Sequence, residues 1–165
     1  MAEGGLKRGR EPRREPGRTV SRGGEARPWW RDAPFLFGLL AGPVTWALLA
    51  LTGLPVAAGS PPPAAWLVSV LLAPVVEEYL FRGLLQGALL QRPRLARRWF
   101  GISGANVLVS IAFAAAHLWS RPSTAAVAVL LPSLALGACR ERYGILAPCM
   151  VLHAFWNAGF VWLFA

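Results

Sequence analysis

Glu77, Glu78 and Arg82 fall within residues 74–83, P-V-V-E-E-Y-L-F-R-G, inside a stretch that is otherwise largely apolar from residue 64 to 90. Such a stretch exceeds the about 20 helical residues that a bilayer crossing needs. A charge at membrane depth costs at least about 2.5 kcal/mol. Three of them must therefore be sheltered by protein, by water or by one another. On a helix, Glu78 and Arg82 are four apart, share a face and can neutralise each other. Glu77 is five residues from Arg82 and points elsewhere, so it is the carboxylate left without a local partner. An acid placed this way in a low-dielectric setting is suited to proton chemistry.

Four further side chains belong in the same reckoning. His117 closes the third apolar segment and His153 lies midway along the last, with Asn157 four residues after it and Phe113 four before His117. Each has an ordinary explanation. A lone histidine on an apolar face is usually a packing residue, an intramembrane asparagine is often helix–helix glue, and Phe113 buttresses the imidazole beside it. Taken together they are harder to dismiss. The chain has two histidines, and both fall in apolar segments with Glu77 and Glu78. Intramembrane ionisable residues are functional by default. Glu77, His117, His153 and Asn157 are therefore expected to form one polar site, with Glu78–Arg82 as a supporting buried pair.

The inventory limits the chemistry. No serine or cysteine stands at a nucleophile elbow, and there is no H-E-x-x-H zinc helix. A carboxylate and an imidazole can activate a water between them. A second imidazole and an amide N–H can stabilise the oxyanion that forms when that water attacks a carbonyl. These residues fit amide hydrolysis with water as the nucleophile, no covalent intermediate and no cofactor.

The elements that must position this set are membrane helices. The 165 residues are 55% hydrophobic, with a mean hydropathy of +0.45, which excludes an ordinary soluble domain. The fold class is all-α, a polytopic membrane helix bundle of about five transmembrane helices. They are expected over residues 34–54, 65–90, 102–119, 124–138 and 145–164. The third and fourth are shorter than a full crossing, so their hairpin is expected to stop within a water-filled funnel. Pro74, lacking an N–H, should kink the second helix one turn before the glutamates. The first segment, longer than a signal-peptide core and preceded by a long charged region, reads as a retained anchor.

Charge sets the topology. Residues 1–33 hold nine of the seventeen Lys+Arg and five of the eight acids. They read as a disordered basic tail against anionic headgroups, ahead of a core over residues 34–165. Trp29 and Trp30 mark the interface. The formal charge of +9 therefore reports membrane topology, and no nucleic-acid partner is expected. Arginines in the tail and in the 91–98 and 140–142 loops put the N-terminus in the cytoplasm. Cys139 and Cys149 match no disulfide or metal spacing and read as small apolar residues.

E-E-Y-L-F-R-G, F-A-A-A-H and H-A-F-W-N occur in that order, with 40 residues from Glu77 to His117 and 36 from His117 to His153. They resemble the E-E-x-x-x-R, F-x-x-x-H and H-x-x-x-N motifs of the CAAX-protease and bacteriocin-processing (CPBP) family of intramembrane glutamic endopeptidases. The resemblance covers about residues 64–160. It implies that Glu77 with His117 activates water, that His153 and Asn157 form the oxyanion site, and that Glu78 and Arg82 support them. It also implies a membrane-associated protein or peptide substrate and a place in a bacterial inner membrane. The small size and the stretch L-P-S-L-A-L-G-A-C-R-E-R-Y-G resemble a short bacterial branch, the JDVT-CTERM type. That branch serves protein-sorting systems whose substrates carry a C-terminal membrane tail.

Three alternatives stand beside this reading. A zinc protease would use Glu77, His117 and His153 as ligands, leaving Asn157 without a necessary role. A non-catalytic immunity or scaffold protein would keep the site and act by binding. A proton-coupled transporter also uses buried Glu and His, but this chain shows no internal symmetry.

Overall fold

The computed structural model describes residues 28–51, 53, 61–120 and 127–164. The expected tail lies outside the described residues up to position 27. So do the start of the connector at 59–60 and the break at 121–123. Residues 28–33, which were expected to belong to the tail, are structured. Trp29–Arg31 forms a 3-10 turn, and Asp32 binds Arg142 and Tyr143.

Five helices of 14 residues or more stand among the described residues. They are α1, Ala33–Leu51; α2, Pro63–Leu90; α3, Gly104–Ser120; α4, Leu130–Tyr143; and α5, Ala147–Phe164. Among the described residues, α1, α2 and α5 are long and apolar enough to cross a membrane, and α3 is a shorter apolar helix. The protein is thus a polytopic helical membrane protein. Its outward faces are built accordingly. Phe37, Leu40, Leu51, Leu71, Val76, Leu131 and Trp162 are all exposed, the inverse of a soluble bundle. One apolar core, of Phe35, Leu136, Cys139, Cys149 and Leu152, joins α1, α4 and α5.

Helix α2 departs most from ideal geometry, and it does so around the charged residues. Pro74 lies buried in its middle and cannot bond to the carbonyl of Val70. The chain responds with wider turns on both sides. Leu67–Leu72 and Glu78–Gln86 are π-helical, and the Ala73 N–H reaches back five residues to Val68 O. Such widening inside α-helices is frequent at functional sites. It also sets which side chains align. A step of four overshoots an α-helical turn by about 40°, whereas wider turns cancel much of that drift. Pro74, Glu78, Arg82 and Gln86, each four apart, are consequently all buried on one face.

Two boundaries differ from expectation. Arg98–Trp99 and Ile102–Ser103 pair as a small antiparallel hairpin, where helix was expected from residue 102. Phe100 and Gly101 both adopt positive φ, 51° and 82°, the pattern that two-residue hairpin turns of type I′ use. Ser103 then caps α3, its Oγ accepting the Asn106 N–H at 3.0 Å. Residues 140–142, expected as a loop, are the last turn of α4. Basic residues there suit the negative end of the helix dipole. The helix stops at Gly144, whose φ of 73° supplies the left-handed cap.

Candidate active site

Helices α2, α3 and α5 bring the charged groups together. His153, on α5 and 7% exposed, inserts between the two glutamates of α2. Its Nδ1 lies 2.8 Å from Glu78 Oε1, and its Nε2 lies 3.6 Å from Glu77 Oε2. An ionised carboxylate only accepts hydrogen bonds, so Nδ1–H donates to Glu78 and Nε2 is turned toward Glu77. Glu78 and Arg82 are fully buried and 3.3 Å apart, the pairing expected from their spacing. The expected separation of duties is corrected, however. Glu78 Oε1 serves both Arg82 and His153, and Glu77 has an ionisable neighbour in His153.

The second histidine is fixed differently. His117 Nδ1 lies 3.0 Å from the carbonyl of Phe113, one turn earlier on α3. A carbonyl only accepts, so Nδ1–H is the donor and Nε2 is the ring nitrogen left for other partners. The His117 ring stacks on Phe113 at a centroid distance of 4.3 Å, and His153 meets the same ring at 6.0 Å. Arg82 lies over it at 4.7 Å. Phe113, 3% exposed, is thus the spacer around which both imidazoles and the guanidinium are arranged. Among the described residues no ion pair joins Glu77 to His117. Asn157, one turn after His153, donates from Nδ2 to Ser69 O of α2 at 2.9 Å, which leaves its second amide hydrogen uncommitted.

Several buried polar residues were not singled out by the sequence. Arg82 Nη2 donates to Ser133 Oγ at 2.8 Å and to Ser133 O at 3.1 Å. Gln86 Nε2 donates to Gly137 O at 3.1 Å and to Glu141 Oε1 at 2.9 Å. The partners of Arg82 and Gln86 are also four apart, so α2 and α4 run parallel and meet in two rungs. From α3, Asn106 Nδ2 bonds Leu134 O at 2.9 Å. Beyond the second rung, Glu141 also takes hydrogen bonds from Ser103 Oγ and Arg98 Nε. The available signal was the spacing of Glu78, Arg82 and Gln86, matched by Ser133, Gly137 and Glu141.

A zinc ion would need Glu77, His117 and His153 to converge. Among the described residues no three His, Cys, Asp or Glu side chains are grouped to hold a metal. Glu77 and His153 Nε2 approach each other, but His117 does not complete a three-ligand group with them.

The fold and the site together define a helical membrane protein with a sheltered glutamate–histidine centre. The family pattern described as Rce1-like, type II CAAX prenyl endopeptidase Rce1-like, matches residues 58–159, a span that holds all three motifs. The chain belongs to that family, and membership implies an intramembrane protease acting on a protein substrate. No curated protein and no solved structure matches the chain.

Proposed function

We propose that the protein is an intramembrane glutamic endopeptidase that hydrolyses a peptide bond in a membrane-associated substrate, with Glu77 as the general base. The observation that carries this reading is the placement of His153 between Glu77 and Glu78, with a second histidine, held through Nδ1, on the same Phe113 ring. Glu77 is the more accessible of the two acids, its side chain 28% exposed against 0% for Glu78. Only a carboxylate that substrate and water can reach can serve as the base.

In this mechanism His117 Nε2 holds and polarises a water, and Glu77 accepts its proton as its oxygen attacks the scissile carbonyl. That proton then passes to the leaving amine as the C–N bond breaks, and because water is the nucleophile no acyl-enzyme forms. The developing oxyanion is met by the free amide N–H of Asn157 and by His153, whose Nε2 gains a proton on substrate binding while Nδ1–H keeps its bond to Glu78. Glu78, fixed by Arg82, supplies the counter-charge that such an imidazolium needs. Preorganised donors of this kind contribute on the order of 2.7–4 kcal/mol each.

The substrate is a membrane-tethered polypeptide, and a C-terminal sorting tail of the JDVT-CTERM type is the narrower form of the proposal. The purified protein should cleave such a peptide in nanodiscs with and without chelator. Glu77→Gln, nearly isosteric and unable to take the proton, should lower the rate by about 10²–10⁴-fold at equal abundance. Near-normal cleavage by that variant would remove Glu77 from the role. Loss of activity with chelator would restore the zinc alternative.

A further inference from the structure

We infer that Ser133 is a positioning residue for this site: by holding Arg82 it fixes Glu78, and through Glu78 the tautomer and orientation of His153. The inference rests on the proteolytic reading above, and it concerns a residue outside all three motifs. Ser133 is fully buried on α4. Its hydroxyl and its carbonyl both accept from one nitrogen, Nη2 of Arg82, at 2.8 and 3.1 Å. The other terminal nitrogen, Nη1, lies 3.3 Å from Glu78 Oε1, and that same oxygen lies 2.8 Å from His153 Nδ1. The path from Ser133 to His153 is therefore three consecutive polar contacts among residues that are buried throughout.

The geometry shows what the hydroxyl adds. Phe113 lies beneath Arg82, 4.7 Å from the guanidinium carbon to the ring centroid, a contact with a π-face that does not by itself aim the individual N–H groups. The planar fork transmits orientation only when both ends are held. Glu78 holds one end and Ser133 the other. Arg82 Nε and Nη1 make no hydrogen bond of their own, so the two bonds from Nη2 are the directional restraint on the group. Without the hydroxyl, Arg82 can swing toward an unpaired acceptor beside it, Glu78 Oε2. Such a swing frees the Glu78 carboxylate to rotate. His153 then loses the fixed position of the acceptor that commits its proton to Nδ1.

The chain offers a direct readout because it contains two histidines. In nanodiscs, 15N-histidine-labelled protein gives two imidazoles, and the spectrum of His117→Gln assigns them. The full-length wild type should show His153 with its proton held on Nδ1. Ser133→Ala should convert this to exchange-averaged signals while leaving His117 unchanged. Where a substrate is cleaved, kcat should fall by about 10²-fold, as for a comparable misplacement of a reacting group, with KM unaltered. Ser133→Cys keeps the volume but offers a poor acceptor, and it should behave like Ser133→Ala if the latter does not accumulate. His153 signals identical to wild type in whichever variant accumulates would overturn the inference and leave the protease reading intact. The predicted signal change in a protein that cleaves nothing would instead sustain the positioning and remove the protease reading.

Discussion

At the scale of single residues, the two adjacent glutamates divide their work by burial more than by partner. Both touch His153, but Glu78 is enclosed with Arg82 and Glu77 is partly open. Removing one member of a buried pair leaves the other charge uncompensated, at about 3–5 kcal/mol in soluble proteins. Glu78→Gln and Arg82→Gln should therefore each reduce membrane abundance, as read by immunoblot of the membrane fraction. The double substitution should recover abundance, since no unpaired charge remains. It should not recover cleavage, because His153 still lacks the carboxylate on Nδ1. Recovery of both would mean that Glu78 matters for folding alone. The helical-face argument made from spacing foresaw the Glu78–Arg82 contact. It did not foresee His153, because which histidine reaches an acid from another helix is decided by packing.

At the scale of elements, α2 and α4 are held by parallel rungs, and α3 packs on α4 through Asn106. Gly137 is the point of closest approach, where a Cβ would collide with the Asn106 side-chain amide. Gly137→Ala should cost about 1–3 kcal/mol through overpacking, read as a lowered thermal midpoint in detergent. An unchanged midpoint would show that α3 is free to move aside. Helix α1, all of which lies before the family match, is tied down separately by Asp32. That carboxylate accepts from Arg142 Nε at 2.7 Å and Tyr143 Oη at 2.9 Å. The Arg142 hydrogen bond foremost, then that of Tyr143, holds the acid below its ordinary pKa. A lowered folded-state pKa stabilises above the unfolded value and is lost as pH falls through the folded one. Wild type should melt above Asp32→Asn at neutral pH, and the gap should close below about pH 4, near the ordinary Asp value. Added salt should narrow it, and a gap that persists in acid would refute the latch.

The same scale shows why parts of this architecture were legible and others were not. Runs of apolar residues long enough to cross a bilayer announced α1, α2 and α5, and the arginine at Glu78+4 announced the buried pair. The Phe100–Gly101 hairpin and the helical state of residues 140–142 depend on local turn and cap chemistry, which apolar periodicity does not report. Ser133, Asn106 and Gln86 escaped because single polar residues in apolar helices look alike until a partner helix is in register. The widening of α2 around Pro74 matters most here. It turns a spacing of four, which drifts on an ideal helix, into a straight polar stripe.

At the scale of the whole molecule, the arrangement is a membrane bundle whose charged centre is shielded on the Arg82 side and approachable at Glu77. From the arginines at residues 92–98 and 140–142 we propose, by the positive-inside rule, an orientation with the N-terminus in the cytoplasm. A reporter fused after Ala165 should then be active only on the outer side, and cytoplasmic activity would reverse the assignment. The central claim is that this centre cuts membrane-tethered polypeptides by means of Glu77. Its most direct test is a comparison of protein termini, by mass spectrometry of membranes from cells making wild type or Glu77→Gln at equal abundance. The account predicts new termini next to membrane segments with wild type and none with the variant. Identical sets of termini from the two would contradict it.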